Sequence, residues 1–363
     1  IYTGDTQNTN SNANVKSLLG HETNRTYRET YALTHRGEWD FGSSLAYLQY
    51  EKTRNSRINE GLAGGTEGIF SSTDFYTTVL RDLTAHGEVS LPLHAGVDQV
   101  LTLGTEWVES KLDDPSANTQ TTTAGGSVAG LTSTNRSSTS SARIFSVFAE
   151  DNIELFPGTR LTPGLRLDHH DIVGDNWSPS LNVSQVLTGT LTLKAGIARS
   201  YKAPNLYQLN PNYLLYSNGQ GCYGSTKSCY LQGNADLEAE TSVNKELGIE
   251  YRQDGVVAGL TYFRNDYKNK IESGLTPVGT ASGGTGTTAN ANVFQWENVP
   301  KALVEGLEGN LTLPLAESLT WTNNFTYMLQ SKNKQTGDYL SVTPRYTLNS
   351  MLDWQTTEDL SLQ

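Results

Sequence analysis

The chain has 363 residues, a formal net charge of -12 and 36 % hydrophobic residues. That acidic balance argues against a nucleic-acid binder, and no run of about 18 apolar residues offers a transmembrane helix. The 18 Tyr and 6 Trp, set in alternating segments, do not fit a disordered chain.

Residues 1–26 read as loop, because Asn8, Asn10, Asn12 and Asn14 are turn and coil formers. Strands then come in pairs. Tyr27, Tyr31 and Leu33 lead to a short turn at Arg36-Gly37-Glu38, and residues 41–50 run back. Polar text over 51–74 reads as a long connection, and the next short turn falls near Pro92 and Gly96. Leu101, Leu103, Thr105 and Trp107 then share one strand face. Residues 113–141 are rich in Thr, Ser, Gly and Asn, a linker-like composition. The patterning is the same on both sides, so this is another loop. Phe145, Val147 and Ala149 precede a turn at Phe156-Pro157-Gly158, and Leu161, Pro163, Leu165 and Leu167 follow it. A shorter loop covers 169–176, and Leu187-Thr188-Gly189 is a tight turn.

The stretch 191–251 is the most distinctive. Leu191, Leu193, Ala195 and Ile197 alternate with Thr192, Lys194, Gly196 and Ala198. Pro204 ends that strand, since it has no amide to give a ladder. A long polar loop holds Tyr207, Tyr213, Tyr216, Tyr223 and Tyr230, with Cys222 and Cys229, and Leu247, Ile249 and Tyr251 open the next strand. A structureless loop of that length is odd in a compact soluble domain. It is ordinary on the outer rim of a membrane barrel. Asp254-Gly255 is a hairpin signal. Residues 283–292 lie in a further long loop, Ala316-Glu317 is a tight turn, and Thr356-Thr357-Glu358 is the last one.

Long and short connections alternate strictly over about fourteen strands, which predicts an all-β fold, a transmembrane antiparallel β-barrel with long outer loops and short periplasmic turns. Glu250, Arg252, Asn310, Thr162 and Arg166 sit opposite the apolar faces, so the second face is wet. The chain opens in loop text and stops in a strand pattern at Gln363. Residues 1–363 therefore read as a partial barrel domain, with the last barrel strands missing.

Few motifs carry chemistry. Gly219-Gln220-Gly221-Cys222-Tyr223-Gly224 satisfies G-x-G-x-x-G, but neither the strand nor the helix that a dinucleotide site needs flanks it. Gly283-Gly284-Thr285-Gly286 lacks the Lys-Ser/Thr of a phosphate loop. Asp168-His169-His170-Asp171 offers metal-ligand types. Adjacent strand residues point to opposite faces, so a polar turn is the preferred reading. Cys222 and Cys229 lack zinc or redox spacing, and a local disulfide suits an oxidising compartment. No carboxylate pair or Ser-His-Asp set is selected by context, so no enzyme is expected. That disfavours a polysaccharide enzyme on a β scaffold. What remains is loop aromatics and cations: Tyr2, Tyr27, Tyr50, Arg54, Arg57, Phe70, Tyr213, Tyr216 and Gln220. Tyr27, Tyr31, Tyr47 and Tyr262 also suit a membrane girdle. Arg57 stands in loop text beside Arg54, and Arg suits an aromatic anion through charge, donors and stacking.

The text itself is familiar. Ala198-Arg199-Ser200-Tyr201-Lys202-Ala203-Pro204-Asn205-Leu206-Tyr207, the run Gly233-Asn234 to Glu240, and Asn244-Lys245-Glu246-Leu247-Gly248-Ile249-Glu250-Tyr251 resemble the barrel of TonB-dependent outer-membrane receptors. Asn210-Pro211-Asn212-Tyr213 with Gly219-Gln220-Gly221-Cys222 looks closer still to the ferric enterobactin (catecholate siderophore) receptors. Arg54-Asn55-Ser56-Arg57-Ile58, the run Gly61-Leu62-Ala63-Gly64-Gly65, Asp168-His169-His170 and Phe263-Arg264-Asn265-Asp266-Tyr267 extend the likeness along nearly the whole chain. The resemblance implies TonB-energised uptake of a ferric catecholate siderophore across the bacterial outer membrane. A non-transporting porin or adhesin barrel is the alternative. It implies iron that arrives chelated, with no cofactor of the protein's own, and partners in TonB, outer-membrane lipid and lipopolysaccharide. It implies an N-terminal plug domain and a TonB-contacting peptide that this text lacks. Arg57, Tyr2, Tyr27, Tyr50 and Phe70 match loop positions of ligand capture, Gly64 and Gly65 a glycine pair that lets backbone approach a bulky ligand, and Gln220 a polar loop contact. Asn14 stands where the family can carry Tyr, and Asn218 where a basic residue can occur.

Overall fold

The computed structural model describes residues 22, 24–59, 72–115, 128–131, 137–217, 229–283, 290–340 and 344–363. The strands are β1 (Asn24–Trp39), β2 (Gly42–Asn59), β3 (Ser72–His94), β4 (Asp98–Asp113), β5 (Thr139–Phe156), β6 (Thr159–His170), β7 (Gly174–Val186) and β8 (Leu191–Lys202). After them come one helical turn α1 (Leu206–Leu209), β9 (Leu214–Ser217), β10 (Cys229–Gln232), β11 (Glu240–Gln253), β12 (Val256–Ser273) and β13 (Gly279–Thr280). The chain continues with β14 (Asn292–Ala316), β15 (Leu319–Asn333), β16 (Tyr346–Thr357) and β17 (Leu360–Leu362).

Apart from β9, β10 and β13, the strands form one antiparallel meander. It passes from β8 to β11 and on through β12, β14, β15, β16 and β17. Tight turns lie on one rim at Asp40-Phe41, 95–97, Pro157-Gly158, 187–190, Asp254-Gly255, Glu317-Ser318 and Glu358-Asp359. At the other rim lie the strand ends Asn59 and Ser72, Asp113 and Thr139, His170 and Gly174, Lys202 and Glu240, Ser273 and Asn292, and Asn333 and Tyr346, where the connections are longer. The Asp254-Gly255 hairpin is left-handed at both positions, with φ of 51° and 79°, as the primed turn that matches strand twist requires.

Register sorts the side chains into two faces. One row reads Ala195, Leu247, Tyr262, Leu307, Tyr327 and Tyr346, each opposite the next. On the other half Leu33, Leu48, Ala85, Trp107 and Phe145 do the same. This apolar face is open: Leu33 is 75 % and Leu247 54 % exposed. The opposite face runs Tyr47, His86, Glu106, Ser146, Asp168 and Asn176. Clefts open on this polar side, one lined by Arg160, Thr162, Asn182, Ser184, Lys194 and Glu246, so the polar face is the concave one.

That concave face is densely bonded. Arg166 gives Nε to Asp168 at 2.7 Å and Nη2 to Glu106 and to Ser146, both at 2.8 Å. Ser146 donates to Asp168 at 2.7 Å. Tyr47 stacks on His86 with centroids 4.9 Å apart, His86 on Phe148 at 5.8 Å, and the Arg166 guanidinium covers Phe148 at 5.8 Å. Such cross-strand pairs contribute about 0.2–1 kcal/mol each.

The packed hydrophobic clusters lie at the long-connection rim, in the connections and in the ends of β12 and β14 that reach it. Leu214, Tyr230, Ala281, Ala291 and Val293 form one cluster, with Val128 and Leu131 against it. Leu209, Leu237 and Ile271 form a second, with Val173 and Trp296. The connection 203–239 is therefore far from structureless. β10 runs antiparallel to β9 and parallel to the start of β14, and β13 pairs beside it.

Several boundaries shift. β1 passes through Arg36-Gly37-Glu38 and turns at Asp40-Phe41, because Trp39 pairs with Gly42 and the bare α-carbon of Gly37 makes room for the Trp39 indole. β3 likewise passes Pro92, which pairs with Val100, and runs to His94. β2 and β3 climb well past the expected ends, so Arg54 and Arg57 stand on a strand and not in a loop. The expected loop 169–176 shrinks to 171–173, where the amides of Ile172 and Val173 bond His170 Nδ1 at 3.1 and 3.3 Å. Asn24 already belongs to β1. The last turn moves from Thr357 to Glu358-Asp359.

Gly104 pairs with Phe148, and a Cβ there would lie 2.1 Å from the ring. Gly104→Val is expected to expel Phe148 from under Arg166 and destabilise the wall by about 1–3 kcal/mol, the cost of overpacking. Gly87→Ala, where a Cβ meets open space, should be neutral in the same denaturant-unfolding measurement in detergent.

Candidate functional site

On the long-connection rim, three elements converge. β2 delivers Arg57, opposite Asn24 on one side and Tyr76 on the other. By alternation it shares the concave face with Tyr47. Asp114, which is 2 % exposed, stands directly after the end of β4. The 203–239 connection delivers Tyr207 and Tyr213.

The local chain builds this last piece tightly. Pro204 stops β8, and Asn205 caps α1: its side chain accepts from the Gln208 amide, and its own amide donates to the Gln208 side chain. This is a reciprocal capping box. The amide of Gly233 donates to the Tyr213 carbonyl at 3.1 Å, and the amide of Asn234 to the Gln208 carbonyl at 2.7 Å. A Cβ on Gly233 would lie 1.8 Å from the Asn210 carbonyl oxygen, so only glycine allows this approach. Asn234 also donates to the Trp296 carbonyl at 2.8 Å. The Gly233-Asn234 pair thus clasps the aromatic loop to the wall.

The Tyr207 hydroxyl donates to Asp114 Oδ2 at 2.7 Å, and the Tyr207 and Tyr213 rings meet at 4.8 Å with 53° between planes. Burial raises the Tyr207 phenol most, then its bond to Asp114 and the charge of that carboxylate. Burial, then Asp114, pushes Tyr213 up to about 12. The Arg57 charge opposes both rises, so its guanidinium lies within electrostatic reach of both rings. Among the described residues, Arg57 makes no side-chain hydrogen bond or ion pair; it is exposed. A planar cation within electrostatic reach of two partly buried phenols suits a flat, aromatic, anionic ligand.

The other expected residues distribute differently. Tyr27 is opposite Arg54, and Tyr31 is opposite Tyr50. Tyr27, Tyr50 and Arg54 share the apolar, convex face of Leu48, away from Arg57. There Arg54 stacks over Tyr27 at 5.4 Å and pairs with Glu29 at 2.9 Å. Tyr216 lies on β9 opposite Tyr230. Tyr2, Gly64, Gly65, Phe70, Gln220 and Cys222 lie outside the described residues. Cys229 is disulfide-bonded, and the sequence holds one other cysteine. Asp168, His169 and His170 go separate ways: Asp168 to Arg166, His169 to Asp175 at 2.6 Å, and His170 to two backbone amides. No group of metal-ligand side chains forms among the described residues.

Sequence reading misses Asp114 and does not single out Tyr207 from its loop. The signal for Tyr207 is the Asn205…Gln208 capping pattern, which fixes a helical turn and so the direction of the ring. Asp114 has no local signal, because a partner 93 residues away defines it.

A raised tyrosine pKa has a definite pH consequence. The neutral phenol is favoured in the folded mouth, so its contribution is complete below the unfolded value of about 10 and is lost as pH rises through about 12 for Tyr213. Ultraviolet tyrosinate titration is expected to show a late step near that pH, smaller by one tyrosine in Tyr213→Phe. Hydrogen exchange over 203–214 should quicken across the same window. A titration complete by pH 11 would contradict the burial.

Comparison with known proteins agrees with this architecture. The family described as TonB dependent receptor-like, beta-barrel matches residues 1–362. A ferric enterobactin receptor of Pseudomonas aeruginosa is 79% identical over 365 residues, covering 100% of this chain and 49% of that protein. A ferrienterobactin receptor of Escherichia coli is 58% identical, again over 100% of this chain and 49% of the relative. A crystal structure of a Pseudomonas aeruginosa ferric enterobactin receptor variant in complex with enterobactin superposes with a TM-score of 0.89 at 79% identity, covering 99% of this chain and 52% of that one. The chain spans about half the length of the curated relatives it matches. On its wall of alternating strands, and on a family match along nearly its whole length, the chain belongs to the TonB dependent receptor-like β-barrel family.

Proposed function

We propose that this chain is the barrel wall and outer mouth of an outer-membrane receptor that takes up a ferric catecholate siderophore, of the ferric enterobactin kind, energised through TonB. The observation that carries this is Arg57, unpaired among the described residues, within electrostatic reach of the paired Tyr207 and Tyr213 rings at the rim of a polar concave wall. A ferric tris-catecholate is an aromatic trianion. Its rings stack on phenols and guanidinium, and its charge favours the cation. Iron is cargo and stays in the siderophore's own oxygen shell, so the protein supplies shape, charge and donors and no metal ligand. Relatives bearing the name ferric enterobactin receptor support the same ligand class.

Tyr2, Phe70, Gln220 and the Gly64-Gly65 pair join this mouth in the proposal as loop contacts. Tyr213 belongs to it by geometry. Tyr216 sits one short strand further on, and Tyr27, Tyr50 and Arg54 brace the climb of β1 and β2 that carries Arg57. A Cys222–Cys229 bond would close the tip of the loop, and its reduction would loosen that tip without unfolding the wall. TonB would engage through a region outside this chain, and outer-membrane lipid and lipopolysaccharide would surround it.

The test is ligand capture by the complete receptor. Arg57→Ala is expected to weaken ferric catecholate binding by about 1–3 kcal/mol, the range for hydrogen bonds to charged groups, and Arg57→Lys to recover part of it. The loss should shrink with rising salt if the attraction is exposed. Ferric hydroxamate and haem should bind poorly throughout. Undiminished catecholate affinity in a folded Arg57→Ala receptor would remove Arg57 from the site. A porin or adhesin would capture none of the three ligands.

A further inference from the structure

We infer that Asp114 is a positioning residue of the mouth: by accepting the Tyr207 hydroxyl proton it makes Tyr207 a stacking surface and leaves the Tyr213 hydroxyl as the phenol that donates to the ligand's anionic oxygens. This rests on the ferric catecholate reading above and assigns roles within that same site.

The Tyr207–Asp114 bond joins distant parts of the wall. Tyr207 belongs to the connection between β8 and β11, and Asp114 directly follows β4. Between β4 and β8 lie β5, β6 and β7, paired in series. Four steps of about 4.8 Å make roughly 19 Å along the wall. The bond closes at 2.7 Å because the connection leans back across these strands, with α1 against β5.

The Asp114 end is fixed to the frame. Asp113 pairs with Thr139 where β4 meets β5. The Asp114 amide donates to the Ser138 carbonyl at 2.9 Å, and the Ser138 hydroxyl donates to Asp113 at 2.7 Å. The paired ends of β4 and β5 thus set where the carboxylate stands, and the carboxylate sets where the Tyr207 ring stands.

Counting protons assigns the roles. A carboxylate only accepts, so Tyr207 donates, and a phenol has one proton to give. The lone pairs left on the Tyr207 oxygen offer an anion nothing. Tyr207 therefore serves a catecholate through its ring face. Tyr213 differs. Burial and neighbouring charges act on its phenol, and its hydroxyl makes no hydrogen bond among the described residues. Its proton is there to be given, and the Arg57 charge acts on the same phenol. A hydroxyl donor and a planar cation within electrostatic reach of each other suit the charged oxygen shell of a tris-catecholate.

The ring geometry fits this division. The Tyr207 and Tyr213 planes are 53° apart, with centroids at 4.8 Å. A flat catechol can lie parallel to only one of them. One phenol acts as platform and the other as donor, and the bond to Asp114 decides which.

The experiment measures binding of a ferric tris-catecholate to the complete receptor in detergent by quenching of intrinsic fluorescence. The number of sites per receptor and the unfolding midpoint are determined for each variant. Asp114→Ala should weaken binding about ten-fold, the size of one net hydrogen bond, through faster dissociation and with the number of sites unchanged. Asp114→Asn keeps an acceptor and should restore the parent's affinity. Tyr207→Phe should cost as much as Asp114→Ala, and the two together no more than either. Tyr213→Phe should cost about ten-fold in the parent and in the Asp114→Asn receptor alike. Tighter binding by Asp114→Ala would mean that Tyr207 meets the ligand with its own proton, and would overturn the proposal. So would unchanged affinity in Tyr213→Phe, or a loss in Asp114→Ala that Asp114→Asn does not restore. A mere brace for the connection would lower the number of sites or the midpoint and leave Tyr213→Phe at the parent's affinity. Capture by the parent with every variant equal to it would end these assignments and leave the uptake reading standing; no capture by the parent would remove both.

Discussion

A wall one sheet thick has nothing behind it, and the rest of the structure follows from that constraint. Every backbone amide and carbonyl must be paired by the neighbouring strand, since no second layer exists to shield or satisfy it. The pairing fixes the register, and the register assigns each side chain to one of two solvents. This is why a chain of 36 % hydrophobic residues suffices: only alternate residues need be apolar. It is also why Leu33 and Leu247, among the more exposed leucines, are correct where they are. In a soluble sheet they would be defects. On the concave side, Arg166, Glu106, Asp168 and Ser146 complete one another's hydrogen bonds, as a polar row open to water can.

With the wall committed to two solvents, packing in the ordinary sense moves to the long connections. Tyr230, fully buried, joins Leu214 of β9, Ala281 just after β13, Ala291 just before β14, Val293 at the start of β14, and the 128–131 segment. Such a core can hold a loop rigid over a mouth. The clasp made by Gly233 and Asn234, the capping box at Asn205 and the Tyr207–Asp114 bond all act on one short stretch of backbone. Ordering that stretch before ligand arrives lowers the entropy that binding must supply. In the proposed reading the mouth would gain selectivity from loops, while the wall supplies the fixed frame.

The architecture was legible because the period of two is a local signal. Turn residues such as Asp254-Gly255 and Pro157-Gly158 announce hairpins wherever they stand. Strand ends were less legible on the long-connection rim. The polar text of 51–59 is read as loop, yet 51–57 pairs on both sides with β1 and β3, and 58–59 with β3. Above a membrane, both faces of a strand are wet, so alternation disappears while hydrogen bonding continues. The mouth was legible only in part. Tyr213 and Arg57 stand out by residue type, but Asp114 acquires its meaning from a tyrosine 93 positions away. No sequence pattern encodes that contact.

The same parity decides between two arginines that sequence reading groups together. Arg54 and Arg57 are three residues apart on one strand, an odd spacing that sends them to opposite faces. Arg54 goes with Tyr27 and Tyr50 to the convex side, where Glu29 neutralises it and Tyr27 covers it. Arg57 goes to the concave side, with no side-chain partner among the described residues. A cation already paired offers a trianion little, because the ligand must first displace a carboxylate. A free one costs only its own hydration. Of the two, Arg57 is therefore the one we propose for an aromatic anion, since Tyr207 and Tyr213 are turned toward each other within reach of its charge.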